Sequence, residues 1–595
     1  MSRLTVHRRA RGLATLTAVA ALVLAVTTVT TAPAQSVEPV GDCTAAYPVD
    51  ELVPGAPVTG LTVDHGTTPE GFTGELIGVL TDGIAPGLDM VMVRLTSPEI
   101  DRVGGIWQGM SGSPVYAEDG RLIGAVAYGL AAGASPVAGV TPFEDVDNYL
   151  ATPAASVDVN RAQASAIARR SDVTTAEASQ GFTQLPMTLG VSGTTARRVS
   201  EALARAGKHP YVSQAGYALG RATGAAAPGP ETIVAGGNIA ASLSYGDIAM
   251  AGVGTATSVC QGRVVGFGHP LGFFGDTTLS MHPADVLYVQ KDLFAPFKLA
   301  NLGDPVGTVT DDHLAGITGS FGALPDYASV TSSVTFGDRS RTGETKVSVR
   351  SADALANATL YETIANHERV VDGMSKGSES LNWTIQGTDV DGSPFALGFT
   401  DRYASSYDLT WDVGFELGDM VYALGQIDGV TIDSITSDSQ FVDDSSRYRI
   451  SSVQQYRDGA WVAVGKGAPA IARAGHRLIA RVVLTSGQHA TTVPVSFDVP
   501  QRAEGRRATL SLLGGSQIWS GGDLSSIAKA RRYLRNLIRN DEVRATFGTV
   551  GGYYGGSDGS ASVEGRGSHD FVKAKDLGPL DKVVGDGVWV KVIIR

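Results

Sequence analysis

The sequence predicts a mainly β protein of about three domains. Three observations carry this. Charged residues make up 18% of the 595 and hydrophobic residues 43%, with 74 glycines, a balance that favours strands and turns over long helices. Short segments alternating apolar and polar residues, bounded by turn formers, run from Val58 to Val140 and again from Ser329 to Val499. Helical periodicity is confined to a few isolated stretches, and no regular internal repeat is present.

Taken in order, the chain opens with a basic segment (Arg3, Arg8, Arg9, Arg11), an apolar run from Gly12 to Val26, and Ala32-Pro33-Ala34. This pattern reads as a secretory signal peptide over residues 1–34, cut after Ala34. The apolar run is short for a membrane span, and no later stretch is long and apolar enough to make one. The mature chain is therefore expected outside the cytoplasm, secreted or associated with the cell envelope, with no transmembrane span. Two cysteines, Cys43 and Cys260, in an exported chain suggest one disulfide. There is no Cys/His cluster at zinc spacing and no His-Glu-x-x-His, so no metal and no cofactor is expected. A net charge of −13 argues against a nucleic-acid partner.

Thr73 to Leu80 and Met90 to Leu95 read as strands. Val115-Tyr116 and Leu122 to Tyr128 read as a hairpin around Glu118-Asp119-Gly120. Pro142 to Tyr149 reads as a short helix, and Ala151 to Ala178 as an Ala/Ser-rich connection with some helix. Thr194 to Ala206 is an amphipathic helix ending near Gly207. Ala222 to Pro230 reads as a loop, and Asp247 to Val265 returns to strands. The alternating part after Ser329 suggests a β-sandwich, interrupted by a helix over Asp353 to His367. Ser525 to Arg539 is a basic amphipathic helix with Asp523 or Ser525 as N-cap. The Gly/Ser-rich stretch Gly548 to Gly567 lacks a phosphate-loop ending and reads as a loop. The chain closes on an apolar strand, Val588 to Ile594.

One segment carries the elements of nucleophilic chemistry. Gly109-Met110-Ser111-Gly112-Ser113-Pro114 has the form G-x-S-G-x-P, a tight turn lined by small residues. A serine attacks a carbonyl only when a base takes its proton and donors hold the oxyanion. Here Ser111 is the candidate nucleophile, with the N–H groups of Gly109 and Ser111 as oxyanion donors. Alone, such a turn is as often structural as catalytic.

Its surroundings resemble the SpoIVB family of serine peptidases. The resemblance runs through Gly104-Gly105-Ile106-Trp107-Gln108 into the serine turn, and on through Gly120-Arg121-Leu122-Ile123-Gly124-Ala125-Val126. Upstream, Ile77 to Leu80 and Gly83 to Gly87 followed by Asp89 are similar, as is Gly139-Val140-Thr141-Pro142 downstream. Gly254-Thr255-Ala256-Thr257 through Gly266-Phe267-Gly268-His269 resembles the family's segment around its histidine. The resemblance implies His269 as general base; His65, in Val63-Asp64-His65-Gly66, is the rival, and His282 and His313 are given no role. In the family's sporulation member the histidine precedes the serine, whereas here Ser111 comes first. A triad is defined by geometry and not by chain order. The family's aspartate position falls near Ser97, so the third member is expected at Asp101, with Asp276 as alternative, or is absent.

The resemblance implies a chymotrypsin-like core of two β-barrels over about residues 40–330, with an insert at about 151–235. A β-rich, sandwich-like accessory region over 331–510 and a small α/β region over 511–595 would follow. It also implies a protein or peptide substrate and is compatible with self-processing. Two other readings stand beside the peptidase: a catalytically inactive peptidase-like scaffold that binds a protein or glycan outside the cell, and an esterase using the same serine. The second lacks the sheet-and-helix pattern of an α/β-hydrolase.

Overall fold

The computed structural model describes residues 43–145, 156–186, 189–212, 217–221, 227–293, 295–518, 521–549 and 570–595. The expected signal peptide, and nearly all of the Gly548 to Gly567 stretch, lie outside them. Strands make up 48% and helices 18%, and two closed six-stranded barrels form the N-terminal half. Among the described residues no helix is long and apolar enough to cross a membrane.

The first barrel comprises β1 (Pro57–Thr62), β2 (Glu70–Ala85), β3 (Leu88–Thr96), β4 (Pro114–Tyr116), β5 (Leu122–Leu130) and β6 (Val137–Pro142). They neighbour in the order β4-β1-β2-β3-β6-β5, and β5 pairs back onto β4 to close the ring. Closure removes the open edges that an antiparallel sheet otherwise exposes. Between β3 and β4 lies α1 (Pro98–Val103), capped by Ser97, whose hydroxyl accepts from the Ile100 N–H at 3.1 Å. The predicted hairpin forms, with Val115 opposite Gly124. All nine residues of β5 are buried. Such two-sided burial belongs to a strand covered on both faces, and its Leu/Ala/Gly-rich sequence fits it.

A connection then wraps this barrel: β7 (Ser156–Val157), α2 (Arg161–Arg170), α3 (Thr175–Ala178) and β8 (Phe182–Gln184). Both helices start in capping boxes, Asn160 with Gln163 and Thr174 with Glu177. β8 pairs with β7 and with the outer half of β5. Next come β9 (Gly190–Ser192), α4 (Ala196–Leu203) capped by Thr195, β10 (Tyr217–Ala218) and β11 (Gly220–Arg221).

The second barrel uses β12 (Asn238–Gly246), β13 (Ala249–Cys260), β14 (Arg263–Gly266), β15 (Gly275–His282), β18 (Gly307–His313) and β19 (Gly316–Phe321). Its ring runs β13-β14-β19-β18-β15-β12, with β12 pairing back onto β13. A side sheet holds β11, β16 (Ala284–Gln290) and β17 (Phe297–Leu302). Cys43 is disulfide-bonded to Cys260 at the end of β13, tying the start of the described chain to the second barrel.

The second barrel's sheet does not stop at its ring. It continues from β12 through β21 (Arg339–Val347), β20 (Ala328–Phe336), β24 (Thr431–Val442), β22 (Gly377–Thr388) and β23 (Pro394–Ser405). Two helices, α5 (Ala352–Val371) and α6 (Thr410–Gly425), pack with it. One hydrophobic core joins Ile239, Phe267 and Leu279 of the barrel to Leu355, Leu360 and Trp411 of the helices. Beyond residue 447 two five-stranded sheets share a separate core, in which Val482 and Phe497 of one meet Leu510 and Val590 of the other. The sandwich expected over the whole alternating part is divided: the strands up to Val442 join the barrel's sheet, and only those from Tyr448 on form the sandwich, which takes in the C-terminal strand. The basic helix α7 (Ile527–Asn536) places Ile527, Ala530 and Leu534 in the barrel-side core. Its N-cap is Ser526, whose hydroxyl accepts from the Lys529 N–H. Asp523 and Ser525, the expected caps, instead bond each other and Lys529.

Candidate active site between the barrels

Ser111 sits in the turn that leads into β4, at the face where the first barrel meets the second. The turn is locked by its own barrel and by its neighbour. Gly112 N–H donates to the Val126 carbonyl at 2.8 Å, and Val126 N–H donates to the Ser113 carbonyl at 3.0 Å. From the second barrel, β13 runs alongside. Thr255 N–H donates to the Ser111 carbonyl at 2.8 Å, Thr255 Oγ1 to the Gly109 carbonyl at 3.0 Å, and Thr257 Oγ1 to the Gly112 carbonyl at 2.8 Å. Gly112 has φ +95°, and a Cβ there would lie 1.9 Å from the Thr255 carbonyl oxygen. Only glycine meets both demands. The N–H groups of Gly109 and Ser111 make no hydrogen bond to the described residues, which leaves two neighbouring donors for an oxyanion.

His269 follows β14 in a turn of unusual backbone. Phe267 and Gly268 both have positive φ, +69° and +68°. For phenylalanine this conformation costs about 1–3 kcal/mol and persists only where surrounding structure enforces it. Here the Phe267 ring is fully buried in the second barrel's core. Thr141 Oγ1 donates to the Gly268 carbonyl at 2.6 Å, fastening the turn to β6 of the other barrel. Asp312, fully buried, accepts the N–H groups of Leu271, Gly272 and Phe274 at 2.7, 2.9 and 3.0 Å. Burial holds its carboxyl above the usual range, against the opposing pull of these donors.

The two turns bring His269 Nε2 to 2.8 Å from Ser111 Oγ. Both residues are completely buried. On the far side of the ring, Nδ1 lies 2.8 Å from the Pro270 carbonyl oxygen and 2.9 Å from Gln184 Nε2, which itself donates to Pro270 at 3.2 Å. Burial drives the imidazole pKa down to about 4, with the Pro270 carbonyl acting in the opposite direction. The ring is therefore neutral at ordinary pH. A proton on Nδ1, held by Pro270, would leave Nε2 bare to accept from the serine hydroxyl.

Neither carboxylate expected as third member reaches this ring. Asp101 lies exposed on α1. Asp276 has a side chain 99% exposed, near His313 at 3.9 Å. The Nδ1 side is occupied by a backbone carbonyl and an amide, so the expectation of Asp101 or Asp276 as orienter is corrected. His65, the rival base, is exposed, with Nδ1 3.2 Å from the Leu287 carbonyl oxygen. His282 is buried in the second barrel, bonded to Ser242 Oγ at 2.8 Å and the Gly303 carbonyl at 3.0 Å. His313 pairs with Asp311 at 3.4 Å.

Three residues at the site went unread in the sequence. Lys298, on β17, is fully buried behind the serine turn. Its Nζ donates to Asn238 Oδ1 at 2.9 Å and lies 3.4 Å from Thr255 Oγ1, while its stem packs on Gly109, where a Cβ would come within 2.8 Å of Lys298 Cδ. Burial lowers its pKa to about 7, against the attraction of Asp64. Gln184 and Asp312 are the others; neither sits in a motif. Thr255 and Thr257 did have a signal, since alternate residues of a strand share one face.

No significant match to a curated protein or to a solved structure accompanies the chain. The segment that carries the serine turn does match: residues 48–140 match the family described as SpoIVB peptidase S55, which supports a serine peptidase, a hydrolase acting on protein substrates.

Proposed function

We propose that the protein is a secreted serine endopeptidase in which Ser111 attacks a peptide carbonyl with His269 as general base. The observation that carries this reading is the 2.8 Å approach of His269 Nε2 to Ser111 Oγ, made by two turns on different barrels. In the proposed reaction His269 takes the hydroxyl proton and Ser111 Oγ bonds to the carbonyl carbon. The N–H groups of Gly109 and Ser111 hold the oxyanion. The imidazolium then protonates the leaving amine, and the acyl group stays on Ser111. Water, deprotonated by His269, releases the acid and regenerates the hydroxyl. The Pro270 carbonyl takes the orienting place of a carboxylate, so the site works as a dyad. Export rests on the signal-peptide pattern of residues 1–34, with which the disulfide is compatible.

Proteolysis of an unfolded protein substrate by purified chain, beside Ser111→Ala, tests the reading. Cleavage that falls at least about 10³-fold in the variant supports it. Cleavage unchanged by Ser111→Ala, in protein free of other peptidases, contradicts it. The complete burial of Ser111 favours a second reading, the inactive peptidase-like scaffold, for which no cleavage under any condition is the expected result.

A further inference from the structure

A peptidase site sealed from solvent raises the question of what seals it. β5 pairs with β4 through Leu122 to Ala125 only. Beyond that point its edge passes the catalytic turns, since Val126 is bonded on both sides to the serine turn. The exposed edge that would result, Ala127 to Leu130, is a ready template for an extended peptide. In this structure it is taken by the chain's own β8. Tyr128, Gly129 and Leu130 lie opposite Gln184, Thr183 and Phe182, antiparallel, and Leu185 N–H donates to the Ala127 carbonyl at 2.9 Å.

The side chains of this strand fit the site as a ligand's would. Leu185 is buried in the core of the first barrel with Ile106, Trp107 and Val126. It lies on Gly129, where a Cβ would come 3.1 Å from Leu185 Cδ2 and 3.6 Å from Ile106 Cδ1. Phe182 anchors the strand in a second apolar cluster with Tyr128 and Leu130. Gln184 reaches His269 itself. An N–H of Gln184 donated to Nδ1 requires that nitrogen to be bare, which puts the ring proton on Nε2, facing Ser111 Oγ. An imidazole in that tautomer cannot take the serine's proton. The Pro270 carbonyl selects the productive tautomer and Gln184 opposes it.

We propose that Phe182–Leu185 is a built-in occupant of the substrate edge, that the enzyme takes extended peptides on Ala127–Leu130 with an apolar residue of leucine size against Ile106 and Gly129, and that it is latent until this strand peels away. This rests on the peptidase reading above and names both its substrate class and its regulation. Thr183 is exposed and Gln184 only partly buried, so the strand is held mainly by its two apolar ends.

The test compares fluorophosphonate labelling rates of the full chain with those of Leu185→Glu, which places a charge among Ile106, Trp107 and Val126, and of Gln184→Ala, which leaves the apolar ends in place. Leu185→Glu is expected to label on Ser111 at least about tenfold faster than the unaltered chain, with a smaller acceleration for Gln184→Ala. The peptide acetyl-Phe-Thr-Gln-Leu is expected to slow labelling of Leu185→Glu, and the same peptide ending in Glu is not. Should Leu185→Glu fail to fold by circular dichroism, Thr183→Pro, at an exposed position, replaces it with the same expectation. Folded variants that label on Ser111 no faster than the unaltered chain overturn the latch and leave the peptidase reading standing. No labelling of Ser111 in any of these proteins overturns the peptidase reading, and this one with it.

Discussion

The turn that presents Ser111 and the turn that presents His269 are built on different principles. The serine turn is made mostly from its own residues: small side chains, backbone bonds to the adjoining strand, and glycine where β13 comes closest. The histidine turn holds a phenylalanine at positive φ, and residues far away in the chain enforce it, Thr141 from the other barrel and Asp312 from β18. The comparison teaches that the turn of the proposed nucleophile can be specified locally, whereas that of its proposed base is specified by the assembled fold. Each turn also borrows from the opposite barrel, so neither half of the site is complete alone.

The contrast is broken most severely at Gly112. Gly112→Ala would drive a methyl group into the Thr255 carbonyl, displacing the serine turn from its base. Loss of at least about 10³-fold in Ser111 labelling is expected, with a lowered melting temperature. On the histidine side, Asp312→Ala removes the acceptor of three N–H groups two to five residues from His269. Loss of order there is expected to cost about 10²-fold in labelling rate while Ser111 stays in its turn.

Lys298 sharpens the comparison from behind the serine turn. Its folded pKa of about 7 lies below its ordinary value of 10.5. Between those values the unfolded chain binds the proton that the folded chain does not. The group therefore makes stability rise with pH through that window, and its penalty is fully present below pH 7. In Lys298→Met, stability relative to the unaltered protein should be most favourable near pH 7 and decline toward pH 10, by on the order of 3 kcal/mol, as read by urea unfolding. A relative stability that does not change with pH would show that this amine is not depressed. The smallest effect is expected for Thr141→Val, which strips one hydrogen bond from the Gly268 carbonyl. A loss of about 1–2 kcal/mol in stability and a modest slowing of labelling would follow.

The parts that the sequence disclosed share one property: their signals are local. The serine turn, the β4–β5 hairpin and the cysteine pair were legible because each is written in a few adjacent residues or in a count of two. His269 was legible through its glycine-flanked turn and the family resemblance. Gln184, Lys298 and Asp312 were not, because the chemistry of each depends on partners dozens to hundreds of residues away. The carboxylate sought at Asp101 was an inference from the family's aspartate position near Ser97, and here the Pro270 carbonyl lies at Nδ1. The helix α6 was not among the expected elements, and it contains Gly414 and Gly418. They are contact points, where a Cβ would meet Leu360 at 3.0 Å and the Tyr211 hydroxyl at 2.6 Å. The alternation after Ser329 marked strands correctly but carried no information on which sheet each joins, so the division between the extended barrel sheet and the sandwich was invisible.

The most direct test of the central claim is to map the site of a fluorophosphonate adduct by peptide mass analysis, in the unaltered chain and in His269→Ala, after long exposure. The account predicts an adduct on Ser111 that forms at least about 10³-fold more slowly in His269→Ala. An adduct on another residue, or one on Ser111 that forms equally fast without His269, would contradict it.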